Sequence, residues 1–246
     1  MDQIVSTAPL KVKIAVCQQL LHEPLSPESL NAIRSFGPDF VSLPEHYPLP
    51  KEVQDIHQAA ALFPERKQYL QSLSLELSTV MVGGTLTEQT PGGFYNTCYV
   101  FDRGVEVGFY RKVYPTQREQ DVGVLKGSEF KMFEIRKIRV GIMICADVLF
   151  AESFQELSAL SCQLAFVPTA SPYRAADSVE EKFGRDHSIF VEGARKLHCP
   201  IVKTCGVGTT FGHPIQGRSL IATPEGILTR AEPDQESEPL ILFASL

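Results

Sequence analysis

Three residues of this sequence have side chains whose chemistry fits together: Glu45, Lys112 and Cys145. A cysteine thiolate is a strong nucleophile toward a carbonyl carbon. A glutamate beside it takes the thiol proton. An ammonium group stabilises the thiolate and then the oxyanion that forms after attack. Each residue alone has a plainer reading. A lone cysteine in an apolar strand is most often a small core residue. Glu45, directly after Pro44, reads as a solvated turn residue, and Lys112, in the pair Arg111-Lys112, as a surface charge. What separates the readings is whether the chain brings the three together.

Each of them follows a strand pattern. In the stretch 138–150, IRVGIMICADVLF, Ile138, Val140, Ile142 and Ile144 share one face of an extended run, and Arg139, Gly141, Met143 and Cys145 share the other. Beyond Cys145, Phe150, Phe154, Leu157 and Leu160 recur at helical spacing. Cys145 is therefore expected where a strand turns into a helix. That is the geometry of a nucleophile elbow, with free N–H groups nearby and a helix N-terminus that favours a thiolate. Glu45 follows a short apolar run over 39–43. Lys112 follows a hairpin whose arms, 96–101 and 105–110, flank Asp102-Arg103-Gly104. Loops at strand ends are where α/β folds gather function.

The rest of the chain supplies the frame. Strands are expected over 12–17, 79–82 (ending in Gly83-Gly84), 130–135, 164–167 (ending at Pro168), 201–204 and 239–244, with a hairpin of 219–223 and 226–229 around Pro224-Glu225. Ser26-Pro27-Glu28 opens a helix that closes at Gly37-Pro38. Helical spacing recurs over 52–78, with Pro64 as a start and Leu70, Leu73 and Leu77 as a stripe, and again over 177–197. Strand–helix alternation early and hairpins later fit two packed sheets with helices outside. No repeat, low-complexity segment or linker divides the chain, so residues 1–246 read as a single domain.

Composition excludes several classes. Of 246 residues 43% are hydrophobic, enough for a sizeable core. A net charge of −6 without a Lys/Arg block argues against nucleic acid as a partner. No run reaches transmembrane length, and the start has charge inside its only apolar run, so neither membrane span nor signal peptide is expected. The six cysteines contain no Cys-x-x-Cys, and no His pair has metal-ligand spacing, so no metal site is expected. Free thiols in a cytoplasmic protein follow. Cys17, Cys98, Cys162, Cys199 and Cys205 read as buried small residues. His187 and His213 lack any motif. His46, next to Glu45, leaves a Cys–His arrangement open, although that would leave the Lys112 segment unexplained.

With their flanks, the three residues resemble the nitrilase, or carbon–nitrogen hydrolase, superfamily along nearly the whole chain. KVKIAVCQ is similar to its first strand and DFVSLPE to the segment with its catalytic Glu. VGGTLTEQTPGGFYNTCYVFDRGVEVGFYRKVYP resembles its Gly-Gly strand, Tyr-Asn pair, hairpin and catalytic Lys. VGIMICADVLF resembles its nucleophile segment, and GRSLIATPEGIL a later hairpin. The resemblance implies an α/β fold, a four-layer αββα sandwich of two mixed sheets flanked by helices. It also implies Glu45 as general base, Lys112 as oxyanion stabiliser, Cys145 as nucleophile and the Ala146 N–H as a second oxyanion donor. A thioester would form and be hydrolysed without metal or organic cofactor. Members often carry a second glutamate after the Lys. Glu119 is the best match, placed to position substrate or the Lys112 ammonium, against a solvated loop charge beside Arg118.

Departures from the pattern narrow the substrate. Nitrilases usually have Trp-Glu after the Cys, whereas this chain has Ala146-Asp147 and no Trp, which counts against a nitrile. The branch resembling omega-amidases has an Arg four residues after the Cys, suited to a substrate carboxylate. Here that position is Leu149, which counts against a dicarboxylate monoamide unless Arg174 or another cation substitutes. The segment FGRDHSIFVEGARKLHCPIV is only loosely like the family's Arg-Ala-x-Glu-Asn segment, which often supports subunit contacts. The expected function is hydrolysis of a small linear amide or N-carbamoyl compound by a homodimer or higher homo-oligomer. Acyl transfer from the same thioester, and a non-catalytic binding or scaffold role, are the alternatives.

Overall fold

Alternation along the strands decides the layering, and it is continuous through the residues described by the computed structural model, 11–246. The reading of the chain's start rests partly on residues 1–10, which lie outside the described residues. The first half contains β1 (Lys13–Leu20), α1 (Pro27–Phe36), β2 (Phe40–Leu43), α2 (Ile56–Ala61), α3 (Phe63–Glu76), β3 (Val80–Gly83), β4 (Leu86–Thr90), β5 (Gly93–Asp102), β6 (Val105–Arg111) and α4 (Gln117–Asp121). The second half contains β7 (Met132–Ile135), β8 (Ile138–Ile142), α5 (Ala151–Ala159), β9 (Leu164–Thr169), α6 (Val179–Asp186), α7 (Glu192–Leu197), β10 (Ile201–Thr210), β11 (His213–Ile215), β12 (Leu220–Thr223), β13 (Gly226–Arg230) and β14 (Leu240–Ser245).

Two mixed sheets result. In one, β1 lies between β2, parallel, and β14, antiparallel. Beyond β2 come β3, then β5 with β4 and β6. In the other, β8, β9 and β10 run parallel, with β7 on one edge and β12 and β13 on the other. The sheets join at one corner, where Gln19 and Leu20 pair with Gly206 and Val207.

One face of each strand meets the other sheet. Ile14, Val16, Phe40, Val80, Val82 and Val100 pack there against Val140, Ile142, Ile144, Leu164, Phe166 and Val202. The alternate residues face helices. Ala15, Val41, Leu43 and Met81 meet Ile33, Leu70 and Leu73 of α1 and α3. Ala165, Val167 and Ile201 meet Phe154, Leu157, Ala194 and Leu197 of α5 and α7. Three cores separate four layers, αββα, as the resemblance implies. A slip of one residue in any central strand would exchange its two buried faces, so both cores specify the register.

Local signals acted as read at α1: Ser26 Oγ accepts from Ser29 N, Pro27 begins the helix, and Gly37 closes it at φ 63°. Elsewhere the chain departs. The strand expected to stop at Pro168 continues to Thr169, with Pro168 opposite Thr204. Its neighbour β8 last pairs at Phe166, so no donor is needed from Pro168 on that side. The strand expected over 201–204 runs to Thr210, and β4 and β11 were not foreseen. The helical region over 177–197 is α6 and α7 joined by a π turn, His187–Val191. Among the described residues no helix is long and apolar enough to cross a membrane.

Candidate active site

Glu45, Lys112 and Cys145 each stand just past a strand end, and the two sheets bring those ends together. Glu45 follows β2 and Pro44. The turn is pressed against Gly84 (φ 63°), where an added Cβ would lie 2.2 Å from the Pro44 carbonyl oxygen. The His46 N–H donates to Thr85 Oγ1 at 2.9 Å, fastening the same two turns. Lys112 follows β6. Its N–H donates to the Asn96 carbonyl at 2.9 Å, and its carbonyl accepts from the Gly127 N–H at 2.7 Å. Gly127 sits so close that a Cβ would lie 2.2 Å from the Arg111 oxygen.

Cys145 takes φ 44°, a left-handed conformation that costs a non-glycine residue about 1–2 kcal/mol. It does not open an α-helix directly, as the spacing suggested. A 3-10 turn, Cys145–Leu149, comes first, and α5 starts at Ala151. Of the expected stripe, Phe154 and Leu157 are buried while Phe150 and Leu160 are exposed, because Phe150 precedes the helix and stacks on Tyr114. Cys145 and Ala146 open the 3-10 turn, so their N–H groups have no acceptor within it.

The charges form one buried chain. Lys112 Nζ donates to Glu45 Oε1 at 2.8 Å and to Glu119 Oε2 and Oε1 at 2.8 and 3.0 Å. Asn96 Nδ2 donates to both carboxylates at 2.9 Å. Glu45 Oε2 accepts from the Ala170 N–H at 2.9 Å. The side chains of Glu45 and Lys112 are 2% and 1% exposed. Glu119 is not a solvated loop charge. Its side chain is 17% exposed, and it also completes a capping box with Thr116, accepting from the Thr116 N–H at 2.7 Å. Burial works to lower the Lys112 pKa, but the Glu45 and Glu119 carboxylates beside it raise it above the ordinary lysine range. Burial works to raise Glu119, yet Lys112 and the Asn96 amide hold it down at about 2. The oxygen and nitrogen donors of Glu45, His46 and Glu119 cluster as metal ligands would. The Lys112 ammonium already bridges the two carboxylates there.

Burial pushes the Cys145 thiol well above its ordinary range. Glu45 adds to that rise and Lys112 opposes it. The resting group is a thiol, not the thiolate expected beside a helix N-terminus. Sγ lies 3.9 Å from the Ala170 carbonyl oxygen. A Cys–His arrangement finds no support. Among the described residues no hydrogen bond joins His46 to Cys145. Burial lowers the His46 pKa despite Glu45, whose Oε1 lies 4.0 Å from Nε2. The other five cysteines are buried, as read.

One residue that sequence reading passed over ties the site together. Asp147 is fully buried. Its Oδ2 accepts from the Ile144 N–H at 2.7 Å and the Tyr110 hydroxyl at 2.8 Å, and its Oδ1 accepts from the Tyr114 N–H at 2.8 Å. The turn bearing Cys145 is thereby fixed to the residues on either side of Lys112. Burial raises the Asp147 pKa to about 6, against the pull of the two N–H groups. Only its position after Cys145 could have flagged it.

A cavity of 860 Å³ opens onto Glu45, Lys112, Glu119, Cys145 and Ala146. Leu149 lines its wall, 67% exposed, and offers no cation. Arg174 and His213 lie farther along the same wall, whereas His187 is exposed outside it.

Comparison with known proteins follows the same outline. The family described as carbon-nitrogen hydrolase matches residues 11–245. Omega-amidase NIT2 of Homo sapiens is 32% identical over 144 residues, 54% of this chain and 52% of the relative. That of Xenopus tropicalis is 29% identical over 169 residues, 62% and 61%. The matches thus span about half to three-fifths of those relatives' length. Among solved structures, a carbon-nitrogen hydrolase from Helicobacter pylori G27 superposes with TM-score 0.81 at 20% identity, covering 96% of this chain and 89% of its own. An amidase from Nesterenkonia sp. gives 0.75 at 20%, covering 95% and 89%. At those identities the likeness is one of fold.

Proposed function

Because the chain belongs to the carbon–nitrogen hydrolase family, we propose that it is a single-domain amidohydrolase. Its substrate is a small linear amide or N-carbamoyl compound, cleaved through a thioester on Cys145. The observation that carries the reading is the buried Glu45–Lys112–Glu119 chain opening onto the same cavity as a thiol held in a left-handed turn. The amidase names of the relatives point the same way. A Nesterenkonia sp. AN1 amidase variant carries the acetamide moiety of fluoroacetamide on its active-site cysteine.

The steps follow from the groups present. The thiol is protonated at rest, so attack needs a base, and Glu45 is the carboxylate beside it. As Sγ bonds to the amide carbon, the C=O electron pair moves to oxygen. That oxyanion is met by the Lys112 ammonium and the Ala146 N–H. Glu45 returns its proton to the amide nitrogen, the C–N bond breaks, and ammonia or an amine leaves. Water, deprotonated by Glu45, then adds to the thioester carbon, and the acid departs as the thiol is restored. Lys112 cannot exchange roles with Glu45. Two carboxylates hold its proton, so it serves as a fixed cation. Glu119 positions it.

Intact-protein mass spectrometry tests this. The protein and Cys145→Ala are incubated with primary amides, N-carbamoyl amino acids and nitriles, and ammonia is measured in parallel. An acyl adduct on the unsubstituted protein alone, with ammonia released, is expected. Turnover by Cys145→Ala at the same rate would overturn the reading, and consumption of an added amine would move it to acyl transfer. The homo-oligomer expected from the sequence is kept as part of the proposal. A monomer by light scattering at micromolar concentration would refute it.

A further inference from the structure

Four side chains make up the buried network beside Cys145: Glu45, Lys112, Glu119 and Asn96. Asn96 alone carries no charge, and it alone lies within a strand. Glu45 stands on a turn, Lys112 past the end of β6, and Glu119 on the short α4. Asn96 sits in β5, opposite Thr87 of β4 on one side. On the other side its carbonyl accepts from the Lys112 N–H at 2.9 Å. Groups on paired strands are held more precisely than groups on loops.

The Asn96 amide is spent in one direction. Nδ2 has two hydrogens, and it donates to Glu45 Oε1 and to Glu119 Oε1, each at 2.9 Å. Oδ1 is buried and has no donor among the described residues, and the residue is 3% exposed. The flipped amide would set Oδ1 against two anions, so the carboxylates fix its orientation. A buried acceptor left empty is unfavourable, so what Nδ2 does for the carboxylates outweighs that loss.

The lone pairs of Glu45 can then be counted. Oε1 accepts twice, from Lys112 Nζ at 2.8 Å and from Asn96 Nδ2, and is full. Oε2 accepts once, from the Ala170 N–H at 2.9 Å, and keeps a lone pair free among the described residues. Ala170 is also the residue whose carbonyl oxygen lies 3.9 Å from Cys145 Sγ. Oε2 is therefore the oxygen tied to the segment that touches the thiol.

We propose that Asn96 is a positioning residue for the base. By filling Oε1 of Glu45 while holding Glu119, it leaves Oε2 as the oxygen that takes the thiol proton and keeps that oxygen on the Cys145 side. The S–H bond breaks, its electron pair stays on sulfur, and the proton goes to the free lone pair of Oε2. Among the described residues no hydrogen bond joins Asn96 to Cys145, so Asn96 acts through Glu45. This inference rests on the proposed role of Glu45, but the step it concerns, loss of the thiol proton, needs no amide substrate.

Asn96→Leu keeps the branched shape and removes both donors. Iodoacetamide reads the first step alone, with the modified cysteine located by peptide mass spectrometry. In Asn96→Leu, alkylation of Cys145 is expected to slow by about tenfold to a hundredfold, and kcat to fall by a similar factor. KM should stay within about threefold. A residue needed only for the fold gives the opposite sign, because a loosened site opens the buried thiols, and Cys145 and the five other cysteines are alkylated faster. That outcome would overturn the proposal, as would a folded Asn96→Leu protein with unchanged kcat and Cys145 alkylation. If Asn96→Leu does not fold, Asn96→Ser, smaller and with one donor, decides: slower alkylation of Cys145 supports the role, and an unchanged rate overturns it. Slowed alkylation in the variant, with no amide turned over by the unsubstituted protein, would sink the amidase reading and leave the positioning role standing.

Discussion

Replacing Glu119 with glutamine, Glu119→Gln, tests whether this carboxylate is part of the site or merely caps α4. The substitution keeps the shape and one acceptor oxygen, but removes the charge that faces Lys112 at 2.8 Å. In the folded chain the Glu119 pKa falls from an ordinary 4.5 to about 2. At about 1.4 kcal/mol for each tenfold in acidity, that is a contribution of about 3 kcal/mol at pH 7. The side chain is 17% exposed, so little of this is screened. Because the folded value is depressed, the contribution is complete above pH 4.5 and fades as pH falls toward 2. By pH 3, about 2 kcal/mol of it is gone. Urea unfolding of both proteins at pH 7, 5 and 3 therefore gives a gap of about 3 kcal/mol that shrinks on acidification. At pH 7 the melting temperature drops by about 6–12 °C. A gap that stays constant from pH 7 to pH 3 would refute the argument that the ionised Glu119 carboxylate stabilises the fold. Turnover separates the roles further. A loosened ammonium lowers kcat, whereas a lost cap does not.

Lys112→Met leaves two buried carboxylates facing each other and is expected to cost about 3–5 kcal/mol. One of them then takes up a proton, so the variant should be more stable at pH 5 than at pH 8, which urea titration at the two pH values checks. Asp147→Asn removes a carboxyl whose pKa is raised from 3.8 to about 6. Its favourable contribution is present below pH 3.8 and lost as pH rises through 6, so from pH 4 to 7 the unsubstituted protein should lose about 2 kcal/mol relative to the variant. The variant's Cys145 should also be alkylated by iodoacetamide at an altered rate, because the turn loses its anchor to Tyr114. Gly84→Ala and Gly37→Ala form a matched pair, both at φ 63°. Nothing lies within 4 Å of a Cβ at Gly37, so that variant costs about 1 kcal/mol and keeps activity. At Gly84 the Pro44 oxygen stands in the way, and the Glu45 turn must move, so turnover should collapse.

What could be read from neighbouring residues was read, and what depends on distant partners was not. Ile138, Val140, Ile142 and Ile144 announce a strand because one side of β8 is wholly committed to the space between the sheets. Asp102-Arg103-Gly104 announces a hairpin because Arg103 and Gly104 must both take positive φ. The LTEQT run of β4 carries no such periodic signal, since its order comes from pairing with β5. Asp147 was read only as a departure from Trp-Glu after the Cys, and its side-chain partners Tyr110 and Tyr114 lie more than thirty residues earlier. The buried ion cluster of Asp186 with Lys203, Arg218 and Arg230 draws on four separate parts of the chain, and no local spacing links them. Glu45, Lys112 and Cys145 were legible for a physical reason: each follows a strand, and strand ends are local features. The roles proposed for them came from the resemblance. How firmly each proton is held depends on distant partners, which no local spacing carries. Lys112 lies between two carboxylates and keeps its proton, while the Cys145 thiol keeps its own through burial. Glu45 touches Lys112 and the Ala170 N–H, and Ala170 in turn touches the thiol. In the proposed mechanism a proton leaving Cys145 therefore goes to Glu45, because Lys112 has no room for it.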